Sequence, residues 1–324
     1  MTGRRILVTG GAGFIGSNVA DALLARGDEV VIYDNLRTGR REFIADALAN
    51  GATFVNSDIL DFESLSAAMS GCDTVIHLAA NADVRHGLEH PRRDLEQNTI
   101  ATSTVLEAMR TQGVRRIAFS STGSVYGEPE LFPTPENAPF PVQTSLYAAS
   151  KLAGEGLLSA YATGFDFTAV IFRFVSILGE RYTHGHVFDF WKALGADPTK
   201  LRVLGDGRQE KSYLYVGDCV TGILRGLAEH DELPGAFIYN LGHTETVVVD
   251  DSVAHICAEL GVTPHVEHTG GVRGWTGDSP LIHLDCSKMR GLGWEPRLSI
   301  KDGISRTVQW LTDNPYVLVG DETS

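Results

Sequence analysis

The sequence is poor in cysteine, in positive charge and in long apolar runs. Its four cysteines (Cys72, Cys219, Cys257, Cys286) lie far apart and form no CxxC pair. That excludes a disulfide framework or a cysteine zinc site and fits reduced thiols. Lys and Arg number 27 against 41 Asp and Glu, a net charge of −14. A general nucleic-acid binder is thereby excluded, because displacing phosphate counterions takes Lys and Arg. The most apolar stretch, Phe167 to Leu178, is about a dozen residues long and contains Arg173, whereas a membrane-crossing helix needs about 20 apolar residues. The opening MTGRRILVTGGAGFIG has a basic start, but Gly10, Gly11, Gly13 and Gly16 break its apolar run and no A-x-A cleavage site follows. No signal peptide is expected, and the cytoplasm is the expected compartment. Internal repeats, low-complexity tracts and long charged runs are also absent.

What is present is an ordinary globular composition, 43% hydrophobic and 21% charged, with 35 glycines. The first half alternates apolar strand-like runs with helical stripes. Arg5–Val8 ends in a glycine turn. Phe14 to Ala25 carries Phe14, Ile15, Val19, Leu23 and Leu24 on one helical face. Further strands are expected at Glu29–Tyr33, Thr53–Asn56, Thr74–Leu78, Arg116–Ser120 and Phe167–Phe174. Helices are expected after Asp61, over about Pro91 to Gln112 and from Ser145. Repeated βα units predict an α/β fold, a Rossmann-like doubly wound parallel sheet. After Val175 the pattern loosens. Residues 1–175 are expected to form a dinucleotide-binding domain and residues 176–324 a smaller interleaved α/β substrate domain. A strand at about 236–242 is expected to return to the first sheet.

Two constellations carry chemistry. In the first, Thr9-Gly10-Gly11-Ala12-Gly13-Phe14-Ile15-Gly16 lies between a strand and a helix. Glycines there let backbone N–H groups approach a pyrophosphate, and the helix N-terminus adds a positive dipole end. Asp34 ends the next strand, where a carboxylate bonds a ribose diol and repels a 2′-phosphate. The bland readings are a structural turn and a strand-end residue, but the two features in register point to NAD. The nearby Arg37, Arg40 and Arg41 weigh towards NADP.

In the second, Tyr147-Ala148-Ala149-Ser150-Lys151 places Tyr147 and Lys151 on one face of a helix. Only about one free phenol in a thousand is ionised at pH 7. An ammonium about 4–5 Å away contributes about 4 kcal/mol at an effective dielectric near 20, the scale needed to make the phenol a proton acceptor near neutral pH. The positive ring of a nicotinamide would add to that. Thr122, at the end of the Ser120-Ser121-Thr122 strand, is placed to bond the substrate oxygen; the alternative is a strand-end cap.

TGGAGFIG, Asp34, His77-Leu78-Ala79-Ala80, Asn98, the Ser-Ser-Thr strand end and YAASK together resemble the extended short-chain dehydrogenase/reductases, nearest to the branch of UDP-glucose (UDP-galactose) 4-epimerases. The resemblance runs over nearly the whole chain. It implies Thr122, Tyr147 and Lys151 as the catalytic set. For the cofactor it implies Gly10, Gly13, Phe14, Ile15, Gly16, Asp34 and Asn35, with Asp58 and Ile59 flanking the adenine. Leu78, Ala79, Ala80, Asn98, Ser120, Tyr147 and Lys151 complete that set. For a nucleotide-sugar substrate it implies Ser121, Thr122, Ser176, Val203, Lys211, Tyr213, Arg273 and Asp278. Homodimers through helices near residues 92–112 and 146–162 are also implied. No metal is expected: His86 with His90, and His265 with His268, have ligand-like spacing but no third ligand. His184 and His186 are read either as substrate neighbours or as loop ends, and Asp73 and Asp218 as caps.

The sequence departs from that family pattern in places. Gly123 and Ser124 stand where sugar 4,6-dehydratases usually carry Asp-Glu, and Ser124 where nucleotide-glucuronate decarboxylases usually carry Glu. Ser176 replaces an Asn, and Lys211-Ser212 an Arg-Asp pair, so the bidentate fork for phosphate is lost. The Arg273–Asp278 segment is two residues longer than usual. Ile282 stands where some members have a bulky Tyr near the sugar. The expected reaction is 4-epimerisation of a nucleotide sugar, UDP-glucose/UDP-galactose or an N-acetyl or uronate analogue. Another NAD-dependent nucleotide-sugar oxidoreductase or dehydratase is the alternative. An inactive NAD-sensing protein would commonly have lost the Tyr or the Lys, and both are here.

Overall fold

The computed structural model describes residues 3–82, 89–139, 142–231, 233–274 and 281–318. Of the expectations above, His86 and Asp278 lie outside them.

Six parallel strands build most of the central sheet: β1 (Arg5–Thr9), β2 (Glu29–Asp34), β3 (Thr53–Asn56), β4 (Thr74–His77), β5 (Arg116–Thr122) and β6 (Thr168–Phe174). The strand Gly235–Leu241 adds a seventh, parallel to β6. From one edge the order is Gly235–Leu241, β6, β5, β4, β1, β2, β3. The chain thus starts at the centre, winds to one edge and then crosses to the other. The reversal falls between β1 and β4, whose carboxyl ends are where such sheets bind dinucleotides. The strands read as unbroken apolar runs because both faces are covered. Ile6, Val8, Val30, Ile32, Ile76 and Ala118 enter one core. Their alternates Leu7, Val31, Val75 and Ile117 enter the other.

Helix α1 (Phe14–Ala25) occupies the predicted span. Asp61 caps the helix Phe62–Ala68, accepting from the Ser64 N–H at 3.1 Å. The expected helix from Pro91 to Gln112 is instead three pieces: Pro91–Asp94, a π-helical turn Leu95–Ile100, and Ala101–Gln112. Its apolar stripe is blind to the extra residue a π turn inserts. Ser145 caps the helix Leu146–Phe165 through the Ala148 N–H. That helix lies close against β5: a Cβ on Gly154 would come within 2.9 Å of the Phe119 ring.

Beyond β6 the chain forms small sheets past the carboxyl ends of the main strands. Ser176–Leu178 pairs with Tyr213–Tyr215, and Lys200–Val203 with His265–His268. Glu210–Lys211 lies between Val247–Val248 and Leu281–Ile282. Asp218 accepts from the Arg297 and Leu298 N–H groups and Asp73 from that of Arg5, so both anchor backbone.

A polar row crosses the sheet beneath this region. Ser121 (β5), Arg173 (β6) and Asn240 (the seventh strand) are register partners. Arg173 has no exposed surface. It grips Glu155 through two bonds, of 3.0 and 2.7 Å, and donates to the Tyr126 hydroxyl at 2.7 Å. Tyr126 in turn donates to Asn240, whose amide donates to the Thr134 and Asp285 carbonyls. Removing one member strands a buried charge, which typically costs about 3–5 kcal/mol. Arg173→Met and Glu155→Leu should each lower unfolding free energy by about that amount in urea titrations. The double variant should lose less than either single one, since apolar replacement of a whole buried pair is often nearly neutral.

Candidate active site

The glycine turn fits a pyrophosphate on backbone grounds. Gly10 has φ +67°, and a Cβ there would lie 2.7 Å from the Ala79 nitrogen. A Cβ on Gly16 would come within 2.1 Å of the Gly10 carbonyl oxygen. The turn is therefore folded onto the β4 end at Leu78–Ala80, and α1 starts directly from it. Gly13 sits at the N-cap of α1, and no side chain among the described residues caps that end. The first N–H groups of the helix point at the place where a phosphate belongs.

Asp34 accepts from the Ala12 N–H at 3.0 Å and the Leu36 N–H at 2.7 Å. Burial pushes its carboxyl up, and those two N–H bonds oppose it. Each carboxylate oxygen keeps acceptor capacity for a ribose diol. Two of the neighbouring arginines are engaged elsewhere. Arg40 donates to the Val317 carbonyl at 2.6 Å, and Arg41 lies over the Phe54 ring. Asn35 donates to Asp58 at 2.9 Å, and the Asp58 carbonyl accepts from Tyr33, so both sit beside the β2 end with buried Ile59.

Tyr147 and Lys151 project from the first turns of Leu146–Phe165 towards the end of β5. Lys151 donates to the Ser120 carbonyl at 2.8 Å, and Tyr147 is hydrogen-bonded to Thr122. Thr122 also accepts from the Ser124 N–H at 3.1 Å, so it caps the Gly123–Tyr126 turn as well as meeting the phenol. The expected phenol near neutrality is not what this geometry gives. Burial pushes Tyr147 up to about 12, against the Thr122 bond, and pushes Lys151 down to about 7. The sequence-level sum counted the attraction between the pair and omitted the desolvation of each.

His77 closes the floor. Its ring is buried between the Thr9 hydroxyl (2.8 Å) and the Thr102 hydroxyl (3.1 Å). Burial, then the charge on Lys151, hold it down to about 3, so it stays neutral. Asn98, on the π-helical turn, donates to the Ser150 hydroxyl at 2.8 Å, and that hydroxyl donates to the Tyr147 carbonyl at 2.8 Å. Its carbonyl accepts from the Asn81 N–H at 2.8 Å. Asn98 thus fixes backbone on two sides of the site.

The remaining expected residues are spread more widely. Ser120 bonds the His77 carbonyl through its hydroxyl. Ser121 points to the opposite face from Thr122 and donates to Glu155, so its hydroxyl belongs to the buried row. Ser176 is exposed at the start of its short strand, and Val203 is buried at the end of its own. Lys211 and Tyr213 flank buried Ser212. Arg273 reaches Glu128 at 2.6 Å, just past the Gly123–Tyr126 turn. His186 bonds Ser252 at 2.7 Å and packs on Tyr213, while His184 lies against Tyr182. His268 pairs with Asp250, and no metal-ligand cluster occurs among the described residues. Nor is any described helix long and apolar enough to cross a membrane. Sequence reasoning missed Glu155, Asp94 and Asn240. Only Glu155 left a trace, as the third member of the Tyr147–Lys151 stripe.

Residues 6–242 match the family model described as the NAD dependent epimerase/dehydratase family. The chain belongs to that family. Its cofactor is NAD, and the glycine cradle with Asp34 suits that group. A putative UDP-glucose 4-epimerase of Methanocaldococcus jannaschii is 34% identical over 95% of this chain and 99% of its own. A crystal structure of UDP-glucose 4-epimerase with UDP-glucose from Thermotoga maritima superposes with a TM-score of 0.87. It is 31% identical and covers 96% of this chain and 99% of its own. UDP-glucuronic acid decarboxylase 2 of Arabidopsis thaliana is 30% identical over 95% of this chain but only 68% of its own length. Likeness of fold and sequence therefore spans more than one reaction.

The glycine argument predicts a specific loss. Gly10→Ala should weaken NAD binding about tenfold or more in calorimetric titration. Gly113→Ala, at φ +75° with nothing within 4 Å of its Cβ position, should leave affinity unchanged.

Proposed function

We propose that the protein is a nucleotide-sugar 4-epimerase. The observation that carries the reading is the wall beside Thr122. A Cβ on Gly123 would meet Leu284 at 3.3 Å, the Phe174 carbonyl oxygen at 3.3 Å and Ile282 at 3.4 Å. A carboxylate at 123, which dehydration would use, would press against two aliphatic groups and a carbonyl oxygen, an unfavourable desolvation. Ser124 likewise has no acid to offer, and its hydroxyl is bonded to Thr122. The site offers one proton acceptor, Tyr147, one orienting hydroxyl, Thr122, and one cation, Lys151.

In this reading the sugar 4-hydroxyl lies between Thr122 and Tyr147. Thr122 orients the oxygen, and Tyr147 removes its proton and later returns it. Bound NAD supplies a reversible hydride acceptor and, when oxidised, positive charge near the phenol. Lys211, Tyr213, Ser176 and Val203, on the small sheets, with Arg273, hold the nucleotide end of the substrate. The 4-keto sugar turns about that fixed end and presents its other face. Ile282 lines the sugar side and, being smaller than Tyr, leaves room for a C2 substituent. Firm contacts on the diphosphate with few on the sugar are what the rotation requires.

A homodimer accompanies this reading. Leu95, Ile100 and Leu146 are exposed on the two helical segments expected to pair. Light scattering should return twice the chain mass, and Ile100→Glu should return the monomer.

The activity test is direct. Purified protein with catalytic NAD should interconvert UDP-glucose and UDP-galactose, or their N-acetyl or uronate pairs, without net NADH. Tyr147→Phe should lower kcat about a hundredfold or more while leaving NAD affinity within about twofold. Stoichiometric NADH, released carbon dioxide or a dehydrated product would overturn the reading.

A further inference from the structure

His77 sits at the reversal of strand order, where it is the register partner of Thr9 on β1 and of Phe119 on β5. Both of its ring nitrogens are hydrogen-bonded, and the network fixes which of them carries the proton. The Thr102 hydroxyl gives its single proton to the Asn98 carbonyl at 2.5 Å. Only its lone pairs are then left for His77, so Nε2 is the donor across 3.1 Å. On the other side the Thr9 hydroxyl accepts from the Ala79 N–H at 3.3 Å and gives its proton to Nδ1 across 2.8 Å. A charged ring would bring a proton to Nδ1 as well and cost the Thr9 hydroxyl that acceptor.

The bonds therefore all run one way. From Ala79 they pass through Thr9, His77 and Thr102 to the Asn98 carbonyl. The Asn98 amide donates onward to Ser150, and the Ser150 hydroxyl ends on the Tyr147 carbonyl. The first member, the Ala79 nitrogen, is the atom onto which Gly10 is folded. The last is the backbone of the Tyr147–Lys151 helix. A packing contact follows the same route. The His77 and Phe119 ring centroids lie 5.5 Å apart, and the Lys151 ammonium stands 4.9 Å from the Phe119 centroid.

We propose that His77 is a positioning residue: as the neutral Nε2–H tautomer it is the joint that holds the cofactor turn and the catalytic helix at a fixed spacing. Imidazole suits that place because it is rigid, donates at one end and accepts at the other. Burial and the nearby Lys151 charge keep it from taking a second proton. A small misplacement of reacting groups is costly in rate, so a loosened joint slows the chemical step more than it weakens binding. The inference rests on the proposed function for the reaction whose rate is read, and two of its three readouts need no turnover.

The NAD-bound protein is prepared with nitrogen-15 histidine and followed by NMR at pH 7. His77 is the signal lost in His77→Gln or, should that variant not fold, the one shifted in Thr102→Val. It should show the neutral Nε2–H pattern; an Nδ1–H or doubly protonated ring would overturn the inference. Thr102→Val keeps the shape and removes the acceptor of Nε2–H, and Thr102→Ser keeps the hydroxyl. Thr102→Val should lower kcat about fivefold with KM and NAD affinity within about twofold, and Thr102→Ser should stay near the wild type. An unchanged kcat in Thr102→Val, or an equal fall in Thr102→Ser, would overturn the inference. If the wild type turns over no sugar pair, the proposed function alone fails. The labelled Tyr147 ring carbon, identified by Tyr147→Phe, then decides: it lies three hydrogen bonds along from Thr102. Its signal should move in Thr102→Val and return in Thr102→Ser, and a signal that stays put sinks the joint.

Discussion

The contact between Arg173 and Glu155 governs how this active site is presented. Tyr147, Lys151 and Glu155 recur every four residues along one helix, so fixing any one of them fixes the rotation of the other two. Glu155 is fixed by a two-pronged guanidinium grip and by the Ser121 hydroxyl. Arg173 is fixed by its place in β6 and by Tyr126. Any other rotation of the helix would leave a buried guanidinium and a buried carboxylate without partners, and that penalty exceeds the cost of most packing errors. The same row reaches Asn240 and, through it, the carbonyls of Thr134 and Asp285. The chain that returns from the small sheets is thus tied to the strand that carries Thr122. Thr122 on β5, and Tyr147 and Lys151 on the helix, are held in one frame with the region around Asp285.

Burial gives that frame its chemical character. A dry pocket strengthens every interaction between charges, yet it penalises each charge taken alone. Tyr147 and Lys151 feel both effects, and the penalty dominates. The phenol sits far above neutrality and the ammonium at its edge. The pair is therefore poised, and small changes in neighbouring charge move it. A cation brought in by the cofactor favours the phenolate. An anion on the far side of the lysine favours the ammonium. His77 can take neither role, because its two ring nitrogens are both spent on threonine hydroxyls.

The sequence made legible whatever depends on neighbours along the chain. The glycine turn, α1, the β2 end at Asp34, the Tyr147–Lys151 stripe and the alternation of strand and helix all follow from local spacing. The expectation for Thr122 also drew on its place at a strand end. What escaped depends on partners far apart in sequence. Arg173 read as a charge interrupting an apolar run, since nothing local reveals that Glu155 and Ser121 lie opposite it. The family resemblance implies Ser121 as a substrate residue, whereas strand alternation turns its hydroxyl to the other face, onto Glu155. Asp94 was one acidic residue in a helix expected to be regular, and the π turn that carries Asn98 inward leaves no mark in hydrophobic periodicity. Desolvation was invisible for the same reason: spacing gives the distance between two groups but not their exposure.

The overall charge sharpens how anionic ligands are held. A protein of net charge −14 repels a dinucleotide and a nucleotide sugar at long range. Binding must come from donors that act at contact, and the fold supplies them as oriented backbone rather than as a basic surface. The start of α1 faces the glycine turn, and Asp34 takes one N–H bond from that turn, at Ala12, and one from Leu36. Two arginines near the site are already matched by carboxylates: Arg173 with Glu155, and Arg273 with Glu128. Under the proposed function, a diphosphate arriving at Arg273 exchanges one anionic partner for another. Its net gain is smaller than an unopposed arginine would give, and its geometry is correspondingly easier to release. The proposed 4-epimerase, which would hold a nucleotide firmly while its sugar turns and then let both go, is served by that balance. A permanently basic cleft would hold the product as tightly as the substrate.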